Sequence, residues 1–355
     1  MTACRVWCLA AMSAAALCAA PKVVGGPYVV NATSRGATVA WIVETDQVKW
    51  HAPGGADKTS PALRMEYSGI TGLQPNTRYD YEAGGRKGWF KTAPTGAEPF
   101  RFVLYGDVRT RHDVHRRVIA AILKNGVPDL VVHSGDLVEN GQDSALWATF
   151  FDIERDLLSQ TAFFPSLGNH ERNSEEFYDF FHARQPYYSF NWGNAHFAVI
   201  DSDIGNVSTS KLARDAFWAQ QTKWLEEDLA ANQKADYRFV LAHHAPFTAV
   251  ERRQGDNPHM TALTPLFEKQ RVTAGLFGHD HNYQHYLKNG VHYLVSGGGG
   301  APLYDVNKPD PAITKKVVSI ENFVSVSVNG KTAKVQAIDI NGNVLEEFEF
   351  RAAGQ

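Results

Sequence analysis

The sequence predicts an α/β domain preceded by a small all-β domain. Three observations predict it. Strand-like segments separated by Gly, Pro and Asn run through residues 22–95. From Phe100 the pattern becomes strand, helix, strand, and the change falls at a Pro- and Gly-containing linker, Ala93 to Pro99. Five short polar motifs then recur, each where an apolar run stops.

In chain order, the first twenty residues have the makeup of an export leader. Arg5 gives a positive end, Val6 to Ala20 carries no charge, and Cys18, Ala19 and Ala20 precede Pro21. The run is short for a bilayer span. A signal peptide over 1–20 is expected, with a secreted or periplasmic mature chain. Next, Thr38 to Glu44, Arg64 to Ile70 and Thr77 to Ala83 read as strands. Within Leu73-x-Pro75-x-Thr77-x-Tyr79-x-Tyr81, a tyrosine at a strand entry resembles the tyrosine corner of fibronectin type III and immunoglobulin-like sandwiches. Residues 21–95 are therefore expected to form such a domain.

Beyond the linker, Phe100 to Tyr105 is a strand, Val114 to Leu123 a helix stopped by Gly126, and Asp129 to His133 a strand. Residues 143–158 read as helical, Asn194 to Ile200 as a strand, and Asp215 to Ala231 as an amphipathic helix. Phe217, Trp218, Trp224, Leu225 and Leu229 are its candidate core positions. Tyr237 to Ala242 and Thr273 to Phe277 are strands, and Asn329-Gly330 and Asn341-Gly342 mark two hairpins.

Composition narrows the chemistry. The net charge is −3, 44% of residues are hydrophobic, and no basic stripe points to nucleic acid. Cysteine occurs only at positions 4, 8 and 18, inside the expected leader. A metal site in the mature chain must then use carboxylate, amide and imidazole, which excludes zinc fingers, iron–sulfur clusters and cysteine nucleophiles.

The five motifs offer that set: Gly106-Asp107, Gly135-Asp136, Gly168-Asn169-His170-Glu171, His243-His244-Ala245-Pro246 and Gly278-His279-Asp280-His281. In an open α/β sheet, ligands bind beyond the carboxyl ends of the strands. Four motifs directly follow a predicted strand, and the fifth follows the short apolar run Phe163 to Leu167. Glycine ahead of Asp107, Asp136, Asn169 and His279 suits a turn needing positive φ or close approach. Donors gathered this way would hold two adjacent cations, an arrangement that usually serves phosphate-ester hydrolysis.

With these motifs, residues 100–350 resemble a calcineurin-like metallophosphoesterase, and the whole chain after the leader resembles the purple acid phosphatases. Tyr188-Ser189-Phe190, His196-Phe197, Asp201-Ser202 and Asn282-Tyr283 agree with that likeness. The glycine run 297–300 lacks the ending of a nucleotide P-loop and reads as a tight loop at the site edge. The resemblance implies a four-layer β-sandwich flanked by helices and a pair of divalent or trivalent ions (Fe, Zn or Mn). Asp107 and His281 would bind the first metal, Asp136 would bridge, and Asn169, His279 and His244 would bind the second. His244 is preferred to His243 because similar sequences place the ligand two residues before a proline, and His243 would then be an outer residue or a substrate contact. His170 would be the catalytic acid.

Two positions depart from the family pattern. Glu139 stands where the purple enzymes have a tyrosine ligand, and Arg109 replaces the histidine of a D-x-H motif. The first metal then loses a ligand or recruits Glu139, His112 or His115, and no purple colour is expected. Arg109 has two readings, a catalytic phosphate-binding guanidinium or a structural ion pair. Glu171 either orients His170 or lies exposed.

The resemblance implies a phosphomonoesterase of acid-phosphatase type, working by attack of a metal-bound hydroxide. Alternatives are a phosphodiesterase on the same scaffold or a secreted binding protein with a degenerate site. The expected partner is a small phosphate ester, without nucleic acid and without a membrane once the leader is removed.

Overall fold

The computed structural model describes residues 21–352, so the expected leader lies outside the described residues. Strands β1 (Lys22–Val30), β2 (Gly36–Trp50) and β3 (Lys58–Thr71) form an antiparallel run, and β4 (Arg78–Ala83) pairs with β5 (Arg86–Lys91) as a separate hairpin. The Gln74 N–H donates to the Tyr79 hydroxyl at 2.8 Å, five residues upstream of the ring. That is the kind of contact a tyrosine corner makes.

β6 (Phe100–Tyr105), β7 (Leu130–His133) and β8 (Ala162–Pro165) are parallel neighbours. Helices α1 (His112–Lys124) and α2 (Ser144–Leu158) connect them. The Asp143 carboxylate accepts the Ala145 N–H at 3.0 Å and so caps α2. After α3 (Glu175–Phe180) come β9 (Tyr188–Trp192), β10 (Ala195–Val199), α4 (Ile204–Val207) and α5 (Lys211–Ala231). β11 (Tyr237–Leu241), β12 (Ala274–Phe277), β13 (Tyr283–Lys288), β14 (Val291–Ser296) and β15 (Thr314–Val318) complete a second sheet. β16 (Asn322–Asn329), β17 (Thr332–Asp339) and β18 (Val344–Arg351) return to the first, with the two hairpins where the Asn-Gly pairs lie.

Two sheets result. One runs β18-β17-β16-β6-β7-β8-β1-β2-β3 and the other β15-β13-β14-β12-β11-β10-β9. The all-β N-terminal unit is thus hydrogen-bonded to the larger sheet: Val29 of β1 pairs parallel with Ala162 of β8. Alternation along β1 explains how it fits there. Val29 packs into the core between the sheets, whereas Tyr28 and Val30 pack on the opposite face with Phe151 and Phe181.

Three apolar clusters define helix, sheet, sheet, helix layers. Between the sheets, Phe102 meets Phe197 and Phe239 edge-on, each at 5.3 Å. Val103, Val131 and Tyr105 on the outer face of the first sheet pack with Val118 and Ile122 of α1 and Phe150 of α2. Leu225 and Leu229 of α5 pack on Val240 of the second sheet, while Phe217, Trp218 and Trp224 are only half-buried. Truncating a buried phenylalanine such as Phe102 to alanine costs about 3–5 kcal/mol, the scale of the transfer and cavity terms together. β6, β7 and β8 in one sheet and β11 and β12 in the other run parallel within their sheets. Each is followed by one of the five motifs.

Candidate metal centre

The backbone at the strand ends is forced into unusual conformations. Asp107, Asp136 and His279 have φ of 60°, 57° and 69°, the left-handed region that a β-carbon disfavours. Each follows a glycine, yet it is mostly the donor that takes the positive φ. Among those three glycines only Gly135 does so, at 90°. Close approach explains others: a Cβ at Gly168 would fall on the Asp136 carboxylate, and one at Gly278 on Asp107. Two successive bonds lock the first turn onto the second. The Asp107 N–H donates to Gly135 O and the Val108 N–H to Asp136 O, both at 3.0 Å. The 297–300 glycine run braces them, with Gly299 N–H on Gly106 O and Ala301 N–H on Asp107 O.

Within this frame the structure brings together all six residues expected as metal ligands. Asp107 and Asp136 are buried, each with an oxygen within 4.8 Å of a His243 nitrogen and of the other's. The Asn169 side-chain oxygen lies 3.1 Å from His243 Nε2 and 3.0 Å from His279 Nδ1. His281 Nε2 stands 3.6 Å from Asp107 Oδ1. His244 joins a second group with His243 and His279, in which one nitrogen of each lies within 4.8 Å of the others.

His243 belongs to both groups, whereas the sequence favoured His244. His243 Nδ1 faces the Ser134 carbonyl at 2.7 Å, so it donates there and leaves Nε2 as a lone pair aimed at Asn169, His279 and Asp136. His244 is fixed from behind by Ser202, whose Oγ accepts its N–H at 2.8 Å and meets its Nδ1 at 3.0 Å. The carbonyl that sets the tautomer belongs to Ser134, the residue that follows β7.

His281 follows the same logic. Nδ1 donates to Pro302 O at 2.6 Å, and Nε2 faces Asp107. Backbone-set tautomers of this kind orient metal ligands. Burial, first of all, holds His243 and His281 down at about 3, and pushes His244 and His279 well below the ordinary imidazole value. Neutral imidazoles, carboxylates and an amide oxygen, with no thiolate, suit iron, zinc or manganese. The residues present therefore fit a metal pair. Burial and the charge of Asp136 push the Asp107 carboxyl up, and a cation would oppose both effects.

The departures from the family pattern find partners in each other. Arg109 Nε lies 3.3 Å from Asp136 Oδ2, and Nη1 pairs with Glu139. Glu139 is thus engaged with Arg109, and His115 with Glu154 at 2.7 Å inside the α1–α2 core. His112 is exposed at the first turn of α1. His170 Nδ1 donates to Glu139 O at 2.8 Å, which leaves Nε2 4.0 Å from Asp136 Oδ2.

Glu171 neither orients His170 nor lies exposed. It is buried and accepts N–H bonds from Asp136, Leu137 and Gly168 at 2.7–2.9 Å and from Val138 at 3.2 Å. Its carboxylate ties the Gly135-Asp136 turn to the Gly168-Asn169 turn. Arg253 and Tyr304 escaped the sequence reading altogether. Arg253 touches His279 Nε2, and Tyr304 stacks on His281 at 4.1 Å between centroids. No motif flanks either residue, and only the fold brings them to the histidines.

Comparison with known proteins agrees with this geometry. The family profile of the calcineurin-like phosphoesterases matches residues 100–283. Two uncharacterized proteins of Mycobacterium tuberculosis are 24% identical over 272 residues, covering 64% of this chain and 51% of theirs. The chain therefore spans about half the length of those relatives. Tartrate-resistant acid phosphatase type 5 of Mus musculus is 28% identical over 307 residues, 72% of this chain and 90% of its own length. The structure of purple acid phosphatase PPD1 from yellow lupin seeds superposes with a TM-score of 0.71 at 18% identity, covering 92% of this chain and 74% of that one.

Proposed function

The chain belongs to the calcineurin-like phosphoesterase family, and from that premise we propose that it is a dinuclear metal-dependent phosphomonoesterase of acid-phosphatase type, exported by its leader. One observation carries the proposal: donors from five strand ends converge, the carboxylates and imidazoles in two overlapping groups within 4.8 Å and the Asn169 oxygen 3.0–3.1 Å from two of the imidazoles. Asp107, with His281, would hold the first ion. Asp136 would bridge, and Asn169, His243 and His279 would hold the second, with His244 beside them. Bound there, the ions would supply Lewis-acid polarisation of the phosphoryl group and an acidified water.

The chain's own groups supply the rest. Arg109, tied to Asp136 and Glu139, acts mainly to fix the bridging carboxylate. Arg253 is the better guanidinium for a phosphate oxygen. Its Nε is buried without a hydrogen-bond partner among the described residues and stands 3.5 Å from Asp280 Oδ1. His170, its side chain 22% exposed, holds its Nδ1 proton on Glu139 O and presents Nε2 as the atom that hands a proton to the departing alkoxide. No nucleophilic side chain is required.

The test compares p-nitrophenyl phosphate with bis-p-nitrophenyl phosphate on metal-loaded protein, alongside metal analysis. Two ions per chain and preference for the monoester support the proposal. Preference for the diester would make the chain a phosphodiesterase. No turnover and no metal after loading with iron, zinc or manganese would leave a binding protein on a catalytic fold.

A further inference from the structure

A second hollow lies at the seam between the N-terminal strands and the catalytic sheets. Its volume is about 500 Å³, within the usual range for small-molecule sites. Phe163 and Phe164 of β8 and Phe177 and Phe181 of the α3 region line it, all almost fully buried. Asn31, Arg184, Gln185 and Ser189 are its exposed lining residues. None of the residues that line it is a metal donor.

The hollow is a built feature. The ridge 182–184 separates it from a neighbouring one of about 590 Å³ and is pinned on several sides. His182 packs edge-on to Tyr67 at 4.7 Å, Asn31 donates to His182 O at 3.5 Å, and the Ala183 N–H donates to Tyr178 O at 2.9 Å. On the far wall the Tyr188 hydroxyl donates to Pro165 O at 2.8 Å.

Charge selects the class of ligand. The lining holds one arginine and one histidine and no carboxylate. Arg184 makes no ion pair or side-chain hydrogen bond among the described residues. An apolar floor with an unneutralised cation at the mouth suits a molecule that is flat and apolar at one end and negative at the other. We propose that this seam is a second ligand site, distinct from the metal centre, for a small amphipathic anion such as an aromatic carboxylate or sulfonate. The N-terminal strands then contribute part of a binding site, through Val30, Asn31 and Thr38.

The probe is 1-anilinonaphthalene-8-sulfonate, with neutral N-phenyl-1-naphthylamine as its uncharged counterpart, titrated by fluorescence and calorimetry. One saturable sulfonate site per chain is expected. Arg184→Glu should weaken sulfonate binding about tenfold or more, the scale of a lost charge-assisted contact, and leave the neutral dye unchanged. Gln185→Trp, adding bulk from an exposed loop, should remove both dyes while the melting temperature holds. Unchanged sulfonate affinity in Arg184→Glu, dye binding that survives Gln185→Trp, or the absence of a saturable site would overturn the proposal.

Discussion

The two halves of the proposed metal centre are built differently. Around Asn169, His243 and His279, donor atoms lie 3.0–3.1 Å apart, and His244 stands close by with its ring centroid 4.1 Å from that of His279. Around Asp107 and His281 the one pair is 3.6 Å apart, and Glu139, where the purple enzymes carry a tyrosine, is turned to Arg109. One half has donors in excess and the other has few. The difference teaches that affinity for the two ions should be unequal, with the second site the anchor.

Removing an anchor donor should therefore have the largest effect. Asn169→Ala and His279→Ala should lose one ion per chain and about a thousandfold or more in turnover, read by metal analysis and p-nitrophenyl phosphate kinetics. His281→Ala should release only its own, more weakly held ion and keep the anchor ion. If His281→Ala empties both sites while Asn169→Ala keeps two ions, the comparison is inverted.

Next comes the tie between the halves. Glu171→Ala leaves four buried amides without their acceptor and should lower stability by about 3 kcal/mol in urea unfolding, with weaker binding of both ions. An unchanged midpoint would deny Glu171 its structural part. Arg253 lies on the anchor side. Arg253→Ala should raise KM about tenfold and spare kcat, whereas Arg109→Ala should disturb metal content before KM. Equal KM effects would erase the distinction between the two arginines.

The smallest effect concerns the scaffold under His244. Burial pushes the Asp201 carboxyl up to about 7, against an ordinary value of about 4. The folded chain holds this proton more tightly than the unfolded one. Its contribution to stability is full below about pH 4 and is lost as pH rises through about 7. Asp201→Asn should flatten that fall and exceed wild type by about 1–2 kcal/mol at pH 8, measured by urea unfolding across the range. A parallel pH profile would place the charge of Asp201 in a better-solvated setting.

Much of this was legible in the sequence because strand and motif are adjacent in the chain. Apolar runs ending at Asp107, Asp136 and His279 announce both the strand and the donor. What escaped depends on distant segments meeting. The orientation of His243 rests on the Ser134 carbonyl, and the burial of Glu171 rests on amides more than thirty residues away. The continuity of the N-terminal strands with the larger sheet turns on one parallel pairing, Val29 with Ala162, which no local pattern encodes. Arg253 carries no signature until the fold sets it against His279.

The left-handed turns at Asp107, Asp136 and His279 have a consequence for engineering. Each holds about 1–2 kcal/mol of conformational strain that glycine would relieve. A screen that selects only for heat tolerance would be drawn to these three positions, and its best survivors would be sturdy proteins with nothing left to grip a cation.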